Sequence, residues 1–334
     1  MTPRIRAILL VALALGLISF GLFSTRGKHT NNTDARGRAD VEKLFAKGTP
    51  GSAYADFVKM NARQSEQEQH LAAHIFGDVL YAREGMNGFP VCGPEFGFGC
   101  YHGFMGAFIH EHGVDAVVQL DASCTRGHGP LGLGCFHGIG HGLVSYYGYG
   151  ILDLNKALAA CATLSWKGKY GGCADGAFME YNLRTMQIDT GAPTRSFSVE
   201  THREPCGSVA SEFRSSCQFN QAEWWRQSLI GVEGASGRMG EFCAELENRD
   251  ERAACFRGVG YAYAAEFSFD TAKGVAFCEQ YAGASGDGRL WCREGYAWAL
   301  YATGAKNEAL SVCADGVTKS ESSRCLQEYL FVIN

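Results

Sequence analysis

The sequence predicts an all-α protein: an array of α/α helical hairpins forming a solenoid, open or curled, with one disulfide per repeat. Three observations predict it. Fourteen cysteines fall into seven close pairs, at 92/100, 124/135, 161/173, 206/217, 243/255, 278/292 and 313/325. The second members recur at intervals of 35, 38, 44, 38, 37 and 33 residues, the period of stacked helical hairpins. The segments opened by the second cysteines, and closing segments such as NKALAACATL, GRMGEFCAEL, AKGVAFCEQY and NEALSVCADG, carry apolar residues at three- and four-residue spacing and no Pro, which favours helix over strand. At 334 residues, with 46% hydrophobic and 19% charged, the chain is too apolar to be disordered. A net charge of -5 and a pI near 6.1 exclude general affinity for nucleic acid, which needs clustered Lys and Arg.

Residues 1–23 open with Arg4 and Arg6 and continue in a seventeen-residue apolar run, Ala7 to Phe23, broken by Ser19. This is an export signal, read as a single-pass signal anchor with its positive end in the cytoplasm; the alternative is a cleaved signal peptide. Either way the remainder lies outside the cytoplasm, on the periplasmic or extracellular side, where disulfides persist. Residues 24–52 are polar and punctuated and read as a tether. Residues 53–334 form the stapled repeat domain.

That domain begins with an unstapled leading helix, EQEQHLAAHIFGDVLY. The second cysteine of each pair then opens a similar segment: GCYHGFMGAFI, GCFHGIGHGLV, GCADGAFMEYN, SCQFNQAEWWR, ACFRGVGYAYA, WCREGYAWALY and RCLQEYLFVIN. The first cysteine closes another, as in NKALAACATL and AKGVAFCEQY. Each unit therefore reads as a helix from the second cysteine, a turn, and a helix ending near the next first cysteine, with the staple crossing the loop between hairpins. Gly stands third after the second cysteine at Gly103, Gly138, Gly176, Gly258 and Gly295. Gly costs about 1 kcal/mol in mid-helix relative to Ala, so its recurrence signals close helix approach.

Metal ligation by the cysteines is disfavoured because no C-x-x-C occurs. The expected bridges are Cys92–Cys100, Cys124–Cys135, Cys161–Cys173, Cys206–Cys217, Cys243–Cys255, Cys278–Cys292 and Cys313–Cys325. Each would contribute about 3 kcal/mol by closing a short loop. The pattern from Cys92 to Cys325 resembles the disulfide-stapled relatives of Sel1 and tetratricopeptide repeats. Its staple loops are mostly longer, and the L-G-x-x-Y-x-x-G-x-G signature is not reproduced. The resemblance implies a binding scaffold and carries no functional residue across.

Aligned on the second cysteine, the units place His102, His137, Asp175, Phe219, Arg257, Glu294 and Gln327 two positions later, a row that stacking would bring onto one face. His141 follows His137 by four residues, as His74 follows His70 and Asp78 follows His74, which sets each pair on one side of a helix. His74, His102, His137, His141 and Asp175 are the expected ligands of a divalent transition metal such as Zn, Cu or Fe, with His70 and Asp78 as a second tier. Glu180 is the candidate catalytic base or fourth ligand. An open position on the ion would make the protein a metal-dependent hydrolase or oxidase. A lone His in a repeat is more often a packing or capping residue; pairs at helical spacing and in repeat register are what raise the metal reading here. His110 and His112 fall where their helix should end and suit its C-terminal dipole. His202, in the irregular fourth unit, reads as a solvent residue.

No G-x-S-x-G elbow, phosphate-cradling loop or C-x-x-C-H is present, so neither a nucleotide nor covalent haem is expected. From the fourth unit onward aromatics replace His. Arg257, Glu294 and Trp298 are candidates to line a groove for a protein or peptide partner. Two functions follow: a His-rich metal site in the early repeats of an anchored protein, or a non-catalytic scaffold binding a partner in its concave face.

Overall fold

A computed structural model describes residues 32–314, apart from 129–132, 167–169, 187–194, 196, 233 and 282–285, together with 322 and 325. The signal segment 1–23, the start of the tether and the helix expected after Cys325 lie outside the described residues. The chain divides into residues 1–36 and 37–334; of the first unit only the opening of a helix is described. Among the described residues all regular structure is helical, with fourteen α-helices and no strand. None of these helices is long and apolar enough to cross a membrane.

Helix α1 (Asn32–Phe45) lies in the stretch read as a tether, and it corrects that reading over its length. Val41 and Phe45, one turn apart, give an otherwise polar segment an apolar stripe, and both are buried. Helix α2 (Pro50–Asn61) starts on an N-cap, where the Ser52 amide donates to Thr49 Oγ1, with Pro in the first turn. Phe45 and Phe57 both pack on Phe76 of α3 (Glu66–Glu84), at 5.2 and 4.8 Å between ring centres. A capping box, Ser65 with Glu68, fixes where α3 begins and so the register of His70 and His74.

Among the described residues, six helices carry a second cysteine within their first two turns: α4 (Gly99–His112), α6 (Leu133–Tyr147), α8 (Cys173–Leu183), α9 (Arg214–Ser228), α11 (Arg249–Ala264) and α13 (Gly286–Ala302). The helices that carry a first cysteine at or near their end are α5 (Val117–His128), α7 (Ile151–Cys161), α10 (Ala235–Ala244), α12 (Thr271–Tyr281) and α14 (Lys306–Ala314). Cys92 and Cys206 instead sit beside or within short 3-10 turns, so the leading unit and the unit opened by Cys173 lack their closing helix. All seven expected bridges form, with Cα atoms 5.4–5.6 Å apart, and no cysteine is free. Seven disulfides suit an oxidising, extracytoplasmic compartment.

Helices α3, α4, α6, α8, α9, α11 and α13 pack each on the next in chain order. Glycine lets them approach backbone to backbone. A Cβ on Gly103 would lie 1.9 Å from the carbonyl oxygen of His74; on Gly176, 2.0 Å from that of His137; on Gly258, 2.1 Å from that of Phe219; on Gly295, 1.8 Å from that of Arg257. Each carbonyl belongs to the residue in the histidine row of the preceding unit. At these four units the glycine that follows the row position thus presses the row residues of neighbouring helices together. That contact builds the site.

Candidate metal centre

Five histidines from three consecutive row helices converge. α3 supplies His70 and His74, α4 supplies His102, and α6 supplies His137 and His141. They form two triads of nitrogens, His70/His74/His102 and His102/His137/His141, each with its ligand atoms within 4.8 Å of one another. His74, His102 and His141 are buried to 4% exposure or less.

The hydrogen bonds fix which nitrogen is free. The Nδ1–H of His70 donates to the Phe96 carbonyl at 2.8 Å, and that of His74 to the Thr185 carbonyl at 3.0 Å. A carbonyl only accepts, so both rings carry their proton on Nδ1 and present an Nε2 lone pair. Those two Nε2 atoms face each other at 3.1 Å, and His102 Nδ1 lies 3.2 Å from His74 Nε2. The second pair repeats the design with carboxylates behind it. His141 Nδ1–H donates to Glu180 Oε2 at 3.0 Å, and His137 Nδ1 lies 3.2 Å from Asp175 Oδ2. Their Nε2 atoms face each other at 3.0 Å. Facing lone pairs repel unless a cation lies between them. Protein groups holding Nδ1 while Nε2 is left bare are the arrangement that orients histidine metal ligands.

Burial pushes the basicity of His74, His102 and His141 well below the ordinary histidine range, and neighbouring histidines push it further; His70 is lowered for the same leading reason. Neutral imidazoles are the ligating form. Glu180, fully buried, is raised to about 7 by burial, against the lowering effect of hydrogen bonds from Tyr149, Thr185 and the Met186 amide. Its oxygens are occupied by these donors and by His141. Glu180 thus stands behind His141, outside the two triads of ligand nitrogens. Asp175 does the same for His137, and is itself held by the Gly171 amide and by Asn220 from α9.

Strained backbone supplies two of the anchors. Phe96 and Phe98 adopt φ of 55° and 63° in the first staple loop, and Arg184 adopts φ 50° where α8 ends. Residues with side chains rarely adopt this region, and such outliers gather at functional sites. Here they aim the Phe96 carbonyl at His70 and turn the chain so that Thr185 meets both pairs: its carbonyl at His74, its hydroxyl at His141 and Glu180. The sequence carries no motif for Phe96, Thr185, Tyr149 or Asn220.

His70 belongs to the cluster as fully as His74. Asp78 does not. It lies one turn, about 6 Å, farther along α3 and pairs with Arg38 of α1. His110 and His112 close α4; His110 contacts Ser145 and His112 contacts Tyr81. His202 is buried against Phe242, 4.0 Å between ring centres, rather than solvated. Arg257 pairs with Glu294 at 2.7 Å, and Trp298 packs on Tyr170, Phe219 and Tyr261.

Comparison with models of known protein families, with curated proteins and with solved structures finds no match to this chain. The resemblance to Sel1 and tetratricopeptide repeats gains no support from them.

Proposed function

We propose that this is an extracytoplasmic repeat protein, held to the membrane by residues 1–23, whose five-histidine cluster binds a transition metal. The observation that carries the reading is the pairing of bare Nε2 atoms, His70 with His74 and His137 with His141, whose Nδ1 atoms face protein acceptors. Imidazole ligation suits zinc and copper above magnesium or calcium, which take oxygen ligands. The repeat array supplies the rigidity: row residues of successive units are pressed together by glycine contacts and fastened by staples on either side. Burial of His74, His102 and His141 supports a resident ion more than a hydrolytic one open to bulky substrate.

Elemental analysis by plasma mass spectrometry tests this on the full oxidised chain, purified without a His tag, beside His137→Ala/His141→Ala. Stoichiometric Zn or Cu in the wild type, reduced in the double variant, is expected. No stoichiometric metal in either, even after reconstitution, overturns the reading.

A further inference from the structure

We infer that the cluster is dinuclear, with His102 as the bridging ligand between two ions about 6 Å apart, given metal–nitrogen bonds of about 2.0–2.1 Å. This rests on the metal reading above and goes beyond it. Four of the five rings are committed in pairs: each has its Nδ1 held by the protein and one lone pair aimed at its partner. His102 is different. It alone belongs to both triads. Its ring centre lies 5.0 and 5.2 Å from those of His70 and His74, and 5.3 and 4.3 Å from those of His137 and His141, so it stands between the pairs. One nitrogen, Nδ1, faces His74 Nε2. The other, Nε2, is buried without a hydrogen-bond partner, and the residue is 1% exposed.

An orphaned buried ring nitrogen costs about 1–3 kcal/mol if nothing meets it, and protein acceptors orient every other ring of the cluster. An imidazole has only two nitrogens, on opposite edges of the ring. A single ion at Nδ1 would leave Nε2 stranded, and a single ion at Nε2 would leave the bare Nε2 atoms of His70 and His74 facing each other. Two ions use both: Nδ1 completes a three-nitrogen site with His70 and His74, and Nε2 completes another with His137 and His141. Binding of the second ion then displaces the one remaining ring proton of His102 to solvent, leaving an imidazolate. Its negative charge offsets part of the positive charge of two divalent ions, and the carboxyl groups of Asp175 and Glu180 stand directly behind His137 and His141. A buried dinuclear site needs such compensation.

The test is copper loading of the full chain, oxidised with ferricyanide so that all bound copper is Cu(II), followed by metal counting and electron paramagnetic resonance at liquid-helium temperature. Two equivalents are expected. Their signal should integrate to a small fraction of the bound copper, because two Cu(II) ions joined through one imidazolate couple antiferromagnetically. In His102→Ala the coupling should vanish and any retained copper should give the full signal of isolated ions, with affinity at least tenfold weaker. One equivalent in the wild type, or two that give full uncoupled signals, would overturn the bridge while leaving metal binding intact. Zero equivalents would instead remove the metal reading itself. The wild-type count and spectrum decide the matter even if the variant folds poorly.

Discussion

At the scale of single residues, the site's chemistry is set by burial acting on titratable groups in opposite directions. His74, His102 and His141 have their basicity depressed, so between the unfolded value near 6.5 and their lower folded values the unfolded chain binds more protons, and stability falls as pH falls. Glu180 is raised to about 7, so from there down towards the ordinary carboxylate value the folded chain binds the extra proton, which favours folding as pH drops. His70 is lowered as well, so four cluster histidines oppose one carboxylate. Each group is worth at most about 1.4 kcal/mol per pH unit, so the cluster should cost the metal-free protein at most about 4 kcal/mol per unit below pH 6.5. Thermal melts of metal-free chain at pH 7.5 and 5.5 would show it as a lower midpoint at the acid pH. A flat profile would mean that the facing Nε2 atoms share protons. Behind the ligands, removing the carboxylate that orients His141, in Glu180→Gln, should weaken metal binding about 10- to 100-fold with the helical spectrum unchanged, measured by competition with a chromophoric chelator.

At the scale of elements, helix contact is governed by glycines rather than by interdigitating side chains. Gly103→Ala places a methyl 1.9 Å from the His74 carbonyl oxygen, backbone that cannot rotate away, so α3 and α4 must separate. The expected cost is about 1–3 kcal/mol or more, as for overpacking, with weaker metal binding because His74 and His102 part. Gly237→Ala in α10 is the control. Nothing lies within 4 Å of the added Cβ, and the better helix propensity of Ala should stabilise by up to about 1 kcal/mol. Denaturant melts of the two variants should therefore shift in opposite directions. This glycine pattern was legible in the sequence because it repeats with the cysteines, and so were the staples and the row that unites His102 with His137. Thr185 and the Phe96 carbonyl were not legible: their part depends on left-handed backbone at Arg184 and Phe96 that no periodicity announces. Asp78 misled for a related reason, since helical spacing gives a shared face but not how far along the helix the neighbouring ligands sit.

At the scale of the whole molecule, the buried apolar residues gather into three clusters that follow the chain, from Val41 to Cys217, from Ala222 to Cys292 and from Ala264 to Cys325. With the core divided in this way, the staples assume a large share of stability. At about 3 kcal/mol each, seven exceed the roughly 5–15 kcal/mol by which folded proteins are usually favoured. Reduction should therefore abolish the cooperative unfolding transition seen by circular dichroism. Single staples allow a sharper comparison, because Cys92–Cys100 and Cys313–Cys325 belong to different clusters of the core. Cys92–Cys100 closes the loop whose Phe96 carbonyl holds His70, whereas Cys313–Cys325 lies in the last cluster, remote in sequence from every histidine of the site. Both bridges close loops of similar length, so their removal costs the denatured chain a similar entropic constraint, about 3 kcal/mol. Cys92→Ala/Cys100→Ala should lower metal affinity at least tenfold, because His70 loses the acceptor that orients it. Cys313→Ala/Cys325→Ala should lower only the melting temperature. Equal loss of metal from both variants would show that the clusters unfold together and that stability is shared along the whole array.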